Sequence, residues 1–160
     1  MHKNLIAAPN MTITIETASN RHLDTLYEIE KACFKEEAFT KQQISILLAD
    51  YNSVCLIAKI DNQLAGFIIG TIGFERNSLT GHILTIDVLP ALQRKNIGTR
   101  LLREIESLFK QKNVAACRLE VREDNIAAIS LYEKLGYKKI GKLENYYGSK
   151  HGFYFRKTLA

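Results

Sequence analysis

The chain has 160 residues, of which 46% are hydrophobic and 24% charged, and it carries a formal net charge of +5. These values suit one globular domain with one core, and no apolar run reaches the length of a membrane helix. The lysines and arginines are scattered, without the dense tract or aromatic interleaving of a nucleic-acid surface, and a mild positive excess equally suits an anionic ligand.

Residues 1–10 read as an extension, and one domain is expected over 11–160. No secretory signal pattern opens the chain, so a cytoplasmic protein is expected. Thr12-Ile13-Thr14-Ile15 reads as the first strand. Leu23, Leu26, Ile29, Ala32 and Cys33 recur at helical spacing over 21–34. Thr40 and Gln43 form a capping-box pattern ahead of Ile44, Ile46, Leu47 and Leu48, which predicts a second helix and leaves 35–39 as a loop. Two β-branched runs, 54–60 and 64–74, flank a turn at Asp61-Asn62-Gln63. A strand over Ile83–Val88 is stopped by Pro90, and a helix over 98–112 places Leu101, Leu102, Ile105, Leu108 and Phe109 on one face. A strand at 116–122 precedes a helix capped by Asp124 or Asn125 and ended at Gly136. Strands at about 137–144 and 152–158 close the chain. The order β-α-α-β-β-β-α-β-α-β-β predicts an α/β fold, a mixed sheet with helices on its faces.

Cys33, Cys55 and Cys117 are odd in number and lack ligand spacing, so they read as small core residues. His2, His22, His82 and His151 show no zinc spacing, and no metal is expected. The segment from Val88 to Thr99 joins a strand to a helix. The first amides of a helix have no intrahelical partner and sit at the positive end of its dipole, which together hold phosphate. Gly98 and Asn96 allow close backbone approach, because Asn enters the left-handed region more readily than most residues. Arg94 and Lys95 add positive charge beside it.

This segment resembles the Gln/Arg-x-x-Gly-x-Gly/Ala loop of the GNAT acetyltransferases, with Gln93 first, Gly98 last and Asn96 in place of the middle glycine. A second stretch runs Leu119-Glu120-Val121-Arg122-Glu123-Asp124-Asn125, then Leu131-Tyr132-x-Lys134-x-Gly136-Tyr137. It resembles the RimI-type and NatA-type N-terminal acetyltransferases, archaeal or bacterial, and Tyr146 and Tyr147 resemble the paired tyrosines of their last hairpin. The resemblance implies a GNAT fold, with a mostly antiparallel mixed sheet flanked by helices on both faces. It implies acetyl-CoA as the acetyl donor, held by Gln93, Arg94, Lys95, Asn96, Ile97, Gly98 and Thr99 at the pyrophosphate. Along the arm of coenzyme A it implies Ile86, Asp87, Val88, Asn125, Tyr132 and Lys134, with Asn125 free to act as a helix cap as well.

Acetyl transfer requires that the amine lose a proton, the thioester carbonyl be polarised and the leaving thiolate be stabilised. Alternation along the strand sends Glu120 and Arg122 to one face and Leu119 and Val121 to the other. The resemblance assigns Glu120 as general base and Tyr132 as the donor to the leaving sulfur. His82, read as the start of its strand, is a second base by its chemistry near neutral pH; an ordered water is the third alternative. A phenol of pKa about 10 facing a thiol of about 8.5 makes full proton transfer uphill by roughly 2 kcal/mol, so hydrogen bonding to the sulfur suffices. The resemblance implies protein or peptide N-termini as substrates. Glu37 would meet the amine, Phe39, Tyr146 and Tyr147 would wall the slot, and ribosome association and a monomer or weak homodimer are its further implications. The same chemistry on a lysine side chain or small amine is the first alternative, and a non-enzymatic RNA- or ribosome-binding module the second.

Overall fold

Two-residue turns built from left-handed residues set the first hairpins. Asp61 and Asn62 (φ 50° and 70°) join β2 (Ser53–Ile60) to β3 (Gln63–Glu75), and Arg76 and Asn77 (φ 51° and 66°) join β3 to β4 (Ser78–Val88). Positive φ at both turn residues matches the right-handed twist of the flanking strands. The computed structural model describes residues 11–159, and the expected extension at 1–10 lies outside the described residues. β1 (Ile13–Thr17), β5 (Ala116–Arg122), β6 (Lys138–Tyr147) and β7 (Lys150–Thr158) complete a seven-stranded sheet in the order β1-β2-β3-β4-β5-β7-β6. Every neighbouring pair is antiparallel except β4 with β5.

Helices cover both faces. α1 (Leu23–Cys33) and α2 (Lys41–Ala49) bring Leu26, Ile29 and Ile44 onto Ile57, Phe67 and Ile69. α3 (Ile97–Gln111) and α4 (Ile126–Lys134) bring Leu101, Leu102, Ile105, Phe109 and Tyr132 onto Leu56, Ile68, Ile83 and Leu119. The alternation Leu56/Ile57 and Phe67/Ile68 divides the two cores, as the period of two in a strand requires. The caps are those expected from the sequence. Gln43 N–H donates to Thr40 Oγ1 at 3.1 Å and Thr40 N–H to Gln43 Oε1 at 2.8 Å. Asn125, rather than Asp124, caps α4 by accepting from Ala128 N–H at 3.2 Å. Gly136 ends that helix at φ 97°.

The strand boundaries differ from expectation in three places. β4 starts at Ser78 instead of Ile83, so His82 lies inside the strand, opposite Thr71 and Arg118, and not at its start. Ser78–His82 is not an apolar run, and it becomes strand because β3 pairs it on one side and β5 on the other. β6 runs on to Tyr147, and β7 begins at Lys150 after a turn through Gly148 (φ 70°).

Gly81 gives Phe109 of α3 its seat on the sheet: a Cβ at residue 81 would stand 2.4 Å from the ring. Gly81→Ala is expected to destabilise the fold by about 1–3 kcal/mol through overpacking. Urea denaturation followed by circular dichroism measures this, and combining it with Phe109→Leu should recover part of the loss.

Candidate active site

β4 and β5 run together only from Thr80↔Ala116 to Ile83↔Leu119. Immediately after, the register of β4 against β3 slips, from Gly70↔Ile83 to Ile69↔Thr85, leaving Leu84 as an extra residue. Such a bulge bends the strand that carries it. β4 then follows β3 to Gly66↔Val88, while β5 follows β7 to Arg122↔Gly152. The β5-facing edge of residues 84–88 is thereby left without a strand partner, and Ile86, Asp87 and Val88 lie along it. A row of backbone donors and acceptors on such an edge pairs readily with an extended ligand.

The face that carries α1 and α2 also carries a charged cluster beside this seam. His82 Nε2 lies 2.7 Å from Glu120 Oε1, and Arg118 Nη1 donates to Glu120 Oε2 at 2.8 Å. Arg118 also forks onto Glu75, with Nε and Nη2 donating at 2.9–3.2 Å. Both oxygens of Glu120 are therefore fixed, one by an imidazole and one by a guanidinium. The Arg118 hydrogen bond holds the Glu75 carboxyl below its usual range. With Nε2–H donating to the carboxylate, the lone pair of a neutral His82 falls on Nδ1.

Around this cluster stand two lips. In the 34–40 loop, Glu37 is engaged by Arg122 Nη1 at 2.9 Å, while Arg122 also grips Asp124 at 2.8 and 2.9 Å. Phe39 packs against the α1/α2 core, and its N–H donates to Glu30 Oε2 at 3.0 Å. On the other side, Tyr146 and Tyr147 meet edge to face, with ring centroids 4.9 Å apart. Tyr146 is exposed. Burial, Tyr146 and the nearby Glu120 and Glu37 carboxylates all raise the proton affinity of Tyr147. Gly152 of β7 lies under that ring: a Cβ there would meet Tyr147 Cε2 at 2.8 Å.

The strand-to-helix loop has the features of an anion site. Asn96, the cap of α3, is left-handed at φ 66°, and Arg94 shares that conformation at φ 65°. The first helical bond runs from Arg100 N–H to Asn96 O, so the amides of Ile97, Gly98 and Thr99 precede the ladder. Arg94 and Lys95 are exposed. Gln93 is exposed as well, and its side chain folds back so that Nε2 donates to Val88 O at 3.1 Å. Gly98 lets Leu131 of α4 approach, since a Cβ there would stand 3.3 Å from Leu131 Cδ2.

Tyr132 is 5% exposed and packs against Tyr137 and Phe155. Burial above all raises its phenol pKa, which makes loss of the proton harder than in a free tyrosine. Lys134 lies exposed in the last turn of α4. The Asn125 cap uses Oδ1, not Nδ2. Cys55 and Cys117 are buried free thiols, and Cys33 Sγ donates to Val88 O at 3.3 Å. Among the described residues no group of His, Cys, Asp and Glu is arranged to hold a metal, and no helix is long and apolar enough to cross a membrane.

Sequence reasoning left out Glu75 and Glu30. Glu75 carries no local signal, because it reaches Arg118 across β4. Glu30 did carry one: it lies four residues after Leu26 and three before Cys33, on the apolar stripe of α1, and it is 1% exposed.

The acetyltransferase (GNAT) family model matches residues 23–137. An N-alpha-acetyltransferase of Saccharolobus solfataricus is 35% identical over 109 residues, covering 62% of this chain and 65% of its own, so the chain spans just under two thirds of that relative. An uncharacterized N-acetyltransferase of Methanocaldococcus jannaschii is 32% identical over 139 residues, covering 83% of each chain. The crystal structure of Ard1 from Thermoplasma volcanium superposes with a TM-score of 0.83 at 26% identity, over 92% of this chain and 98% of that one.

The conformation of Asn96 sets a test independent of any activity. Asn96→Gly should leave stability unchanged, whereas Asn96→Val should lose about 1–2 kcal/mol, the strain of a left-handed branched residue. Thermal denaturation of the two variants checks this.

Proposed function

The chain belongs to the acetyltransferase (GNAT) family, and from that premise we propose that it transfers the acetyl group of acetyl-CoA to the N-terminal α-amine of proteins or peptides. The observation that carries this reading is the Glu120–His82 contact of 2.7 Å beside the parting of β4 and β5. It sets a proton acceptor next to an edge that suits an extended pantetheine arm. Acetyl-CoA, when bound, supplies an acyl carbon activated by its thioester.

The residues present fit that donor. The amides of Ile97, Gly98 and Thr99 with Arg94 and Lys95 suit a pyrophosphate, and the edge at Ile86–Val88, which no strand pairs and where only Val88 O is engaged, by Gln93 and Cys33, suits the amides of the arm. Asn125 Nδ2 and Lys134, at the two ends of α4, are the further donors toward it. On the amine side, Glu120 and His82 act as one acceptor. The proton leaving the amine passes to Glu120, either directly or through His82 Nδ1 with Nε2–H handing its own proton to the carboxylate. Arg118 keeps Glu120 aimed during the exchange. Tyr132 serves the leaving sulfur by donating a hydrogen bond; its raised pKa opposes full transfer of the phenol proton to the thiolate. In this reading the 34–40 loop and the Tyr146–Tyr147 pair flank the peptide, with Phe39 backing the loop. Glu37 gives the amine a carboxylate only by sharing it with Arg122.

The α-amine is favoured over lysine because about a tenth of α-amines are neutral at pH 7, against well under a thousandth of lysines. A carboxylate–imidazole pair suffices for the former. The name of the Saccharolobus relative supports the same choice.

Glu120→Gln is expected to cut kcat by about 10²–10⁴-fold, the range of general-base catalysis, with little change in acetyl-CoA affinity measured by calorimetry. His82→Phe should lower kcat by a smaller factor. Peptides with a free N-terminus should be acetylated and those with a blocked N-terminus and an internal lysine should not; equal rates on both would move the substrate to the lysine side chain.

A further inference from the structure

Glu30 of α1 and Asp87 of β4 are each 1% exposed. Neither carboxyl meets a cation in the ion pairs of the described residues. Thr85 stands between them, with Oγ1 3.0 Å from Glu30 Oε1 and 2.6 Å from Asp87 Oδ1. The second Glu30 oxygen accepts the Phe39 N–H at 3.0 Å, while Asp87 Oδ2 is enclosed without a partner.

The hydrogens decide how this cluster holds together. Two short oxygen–oxygen contacts need two hydrogens, and the threonine hydroxyl carries one. The second must be a carboxyl proton. Placed on Asp87 Oδ1, it donates to Thr85 Oγ1, and the Thr85 hydroxyl then donates to Glu30 Oε1. Asp87 Oδ2 becomes the carbonyl oxygen of an acid, whose enclosure costs far less than that of an unpaired carboxylate oxygen. Burial first, and the Glu30 carboxyl second, push the Asp87 pKa well above the usual range. The other titratable groups nearby bring no positive charge. Cys33 of α1 has its thiol pKa pushed up to about 12, chiefly by burial, and Tyr132 of α4 is itself raised.

We propose that Asp87, Thr85 and Glu30 form a one-proton relay ending on the Phe39 amide, which pins the 34–40 loop to β4, and that Asp87 and Glu30 are positioning residues for the amine substrate. The relay joins the strand that borders the seam to the loop that borders the peptide. Its substrate role rests on the acetyl-transfer reading above; its proton and its hold on the loop do not.

The sign of the pH effect follows from the proton. The folded chain keeps a proton that the unfolded chain releases above about pH 3.9. The contribution is therefore full below that value and is lost as pH rises toward the raised native pKa. Asn at residue 87 supplies the same donor without titrating.

The test compares Asp87→Asn, Thr85→Val and Thr85→Ser in the full chain. Asp87→Asn should retain hydrogen-exchange protection of the Phe39 amide and flatten the fall of stability with rising pH. Thr85→Val should lose that protection and raise the peptide KM about tenfold, the value of one hydrogen bond to a charged group, with kcat and acetyl-CoA affinity nearly unchanged. Thr85→Ser should restore both. Loss of Phe39 protection in Asp87→Asn, or a pH slope equal to that of the parent, would overturn the relay. A peptide KM unmoved in Thr85→Val would overturn the positioning role. If Thr85→Val does not fold, Glu30→Gln takes its place in the KM comparison. If the parent acetylates no peptide, the function reading fails, and the exchange and pH-slope results still judge the relay.

Discussion

A parallel pair that ends after Ile83↔Leu119 obliges the backbone of β4 to spend its remaining length with β3 alone. The extra residue at Leu84 makes that possible, because a bulge bends its strand without breaking the ladder on the other side. Everything chemical in the molecule is arranged around the resulting seam. α3 starts just past the end of β4, so its unpaired amides lie near the seam's mouth. β5 places Arg118, Glu120 and Arg122 on the opposite rim. α4 starts directly after β5 and lays Tyr132 beneath. A fully paired β4 and β5 would leave the same residues on a closed sheet, with no edge for a ligand to join.

The two faces of the sheet divide the electrostatics. On the α3/α4 side the groups near the seam are amides, Arg94 and Lys95, which suit a polyanion. On the α1/α2 side Glu37, Glu75 and Glu120 are matched against Arg118 and Arg122 in hydrogen-bonded contacts of 2.8–3.2 Å. That pairing orients the acids and leaves more carboxylates than guanidiniums, since Asp124 also claims Arg122, so this side is the acidic one. Tyr132 sits on the dry side of the boundary, where its burial keeps the phenol proton in place.

What could be read from the sequence was local. The Thr40–Gln43 box, the Asn125 cap, the left-handed Asn96 and the alternation that turns Glu120 away from Leu119 all depend on residues within one turn or two strand positions. The layered mixed sheet followed from the order of such elements. The Arg76-Asn77 turn was not legible, since Arg is not a turn residue by composition, and with it went the first residues of β4 and the place of His82. Contacts between distant segments were equally hidden. Thr85 and Glu30 are 55 residues apart and Glu37 and Arg122 are 85 apart. The role that the resemblance suggested for Glu37 therefore acquired a competitor that no local pattern announces. Gln93, read as a ligand-facing residue of the loop, is likewise drawn back onto Val88 O by the way the chain leaves β4.

Gly152 has no side chain, and the ring of Tyr147 occupies the space where one would be. The position of that ring is thus set by an atom that is missing from a neighbouring strand. Residues 147 and 152 therefore constrain each other sterically. Among relatives, a side chain at 152 should appear only where the aromatic at 147 has shrunk or turned outward.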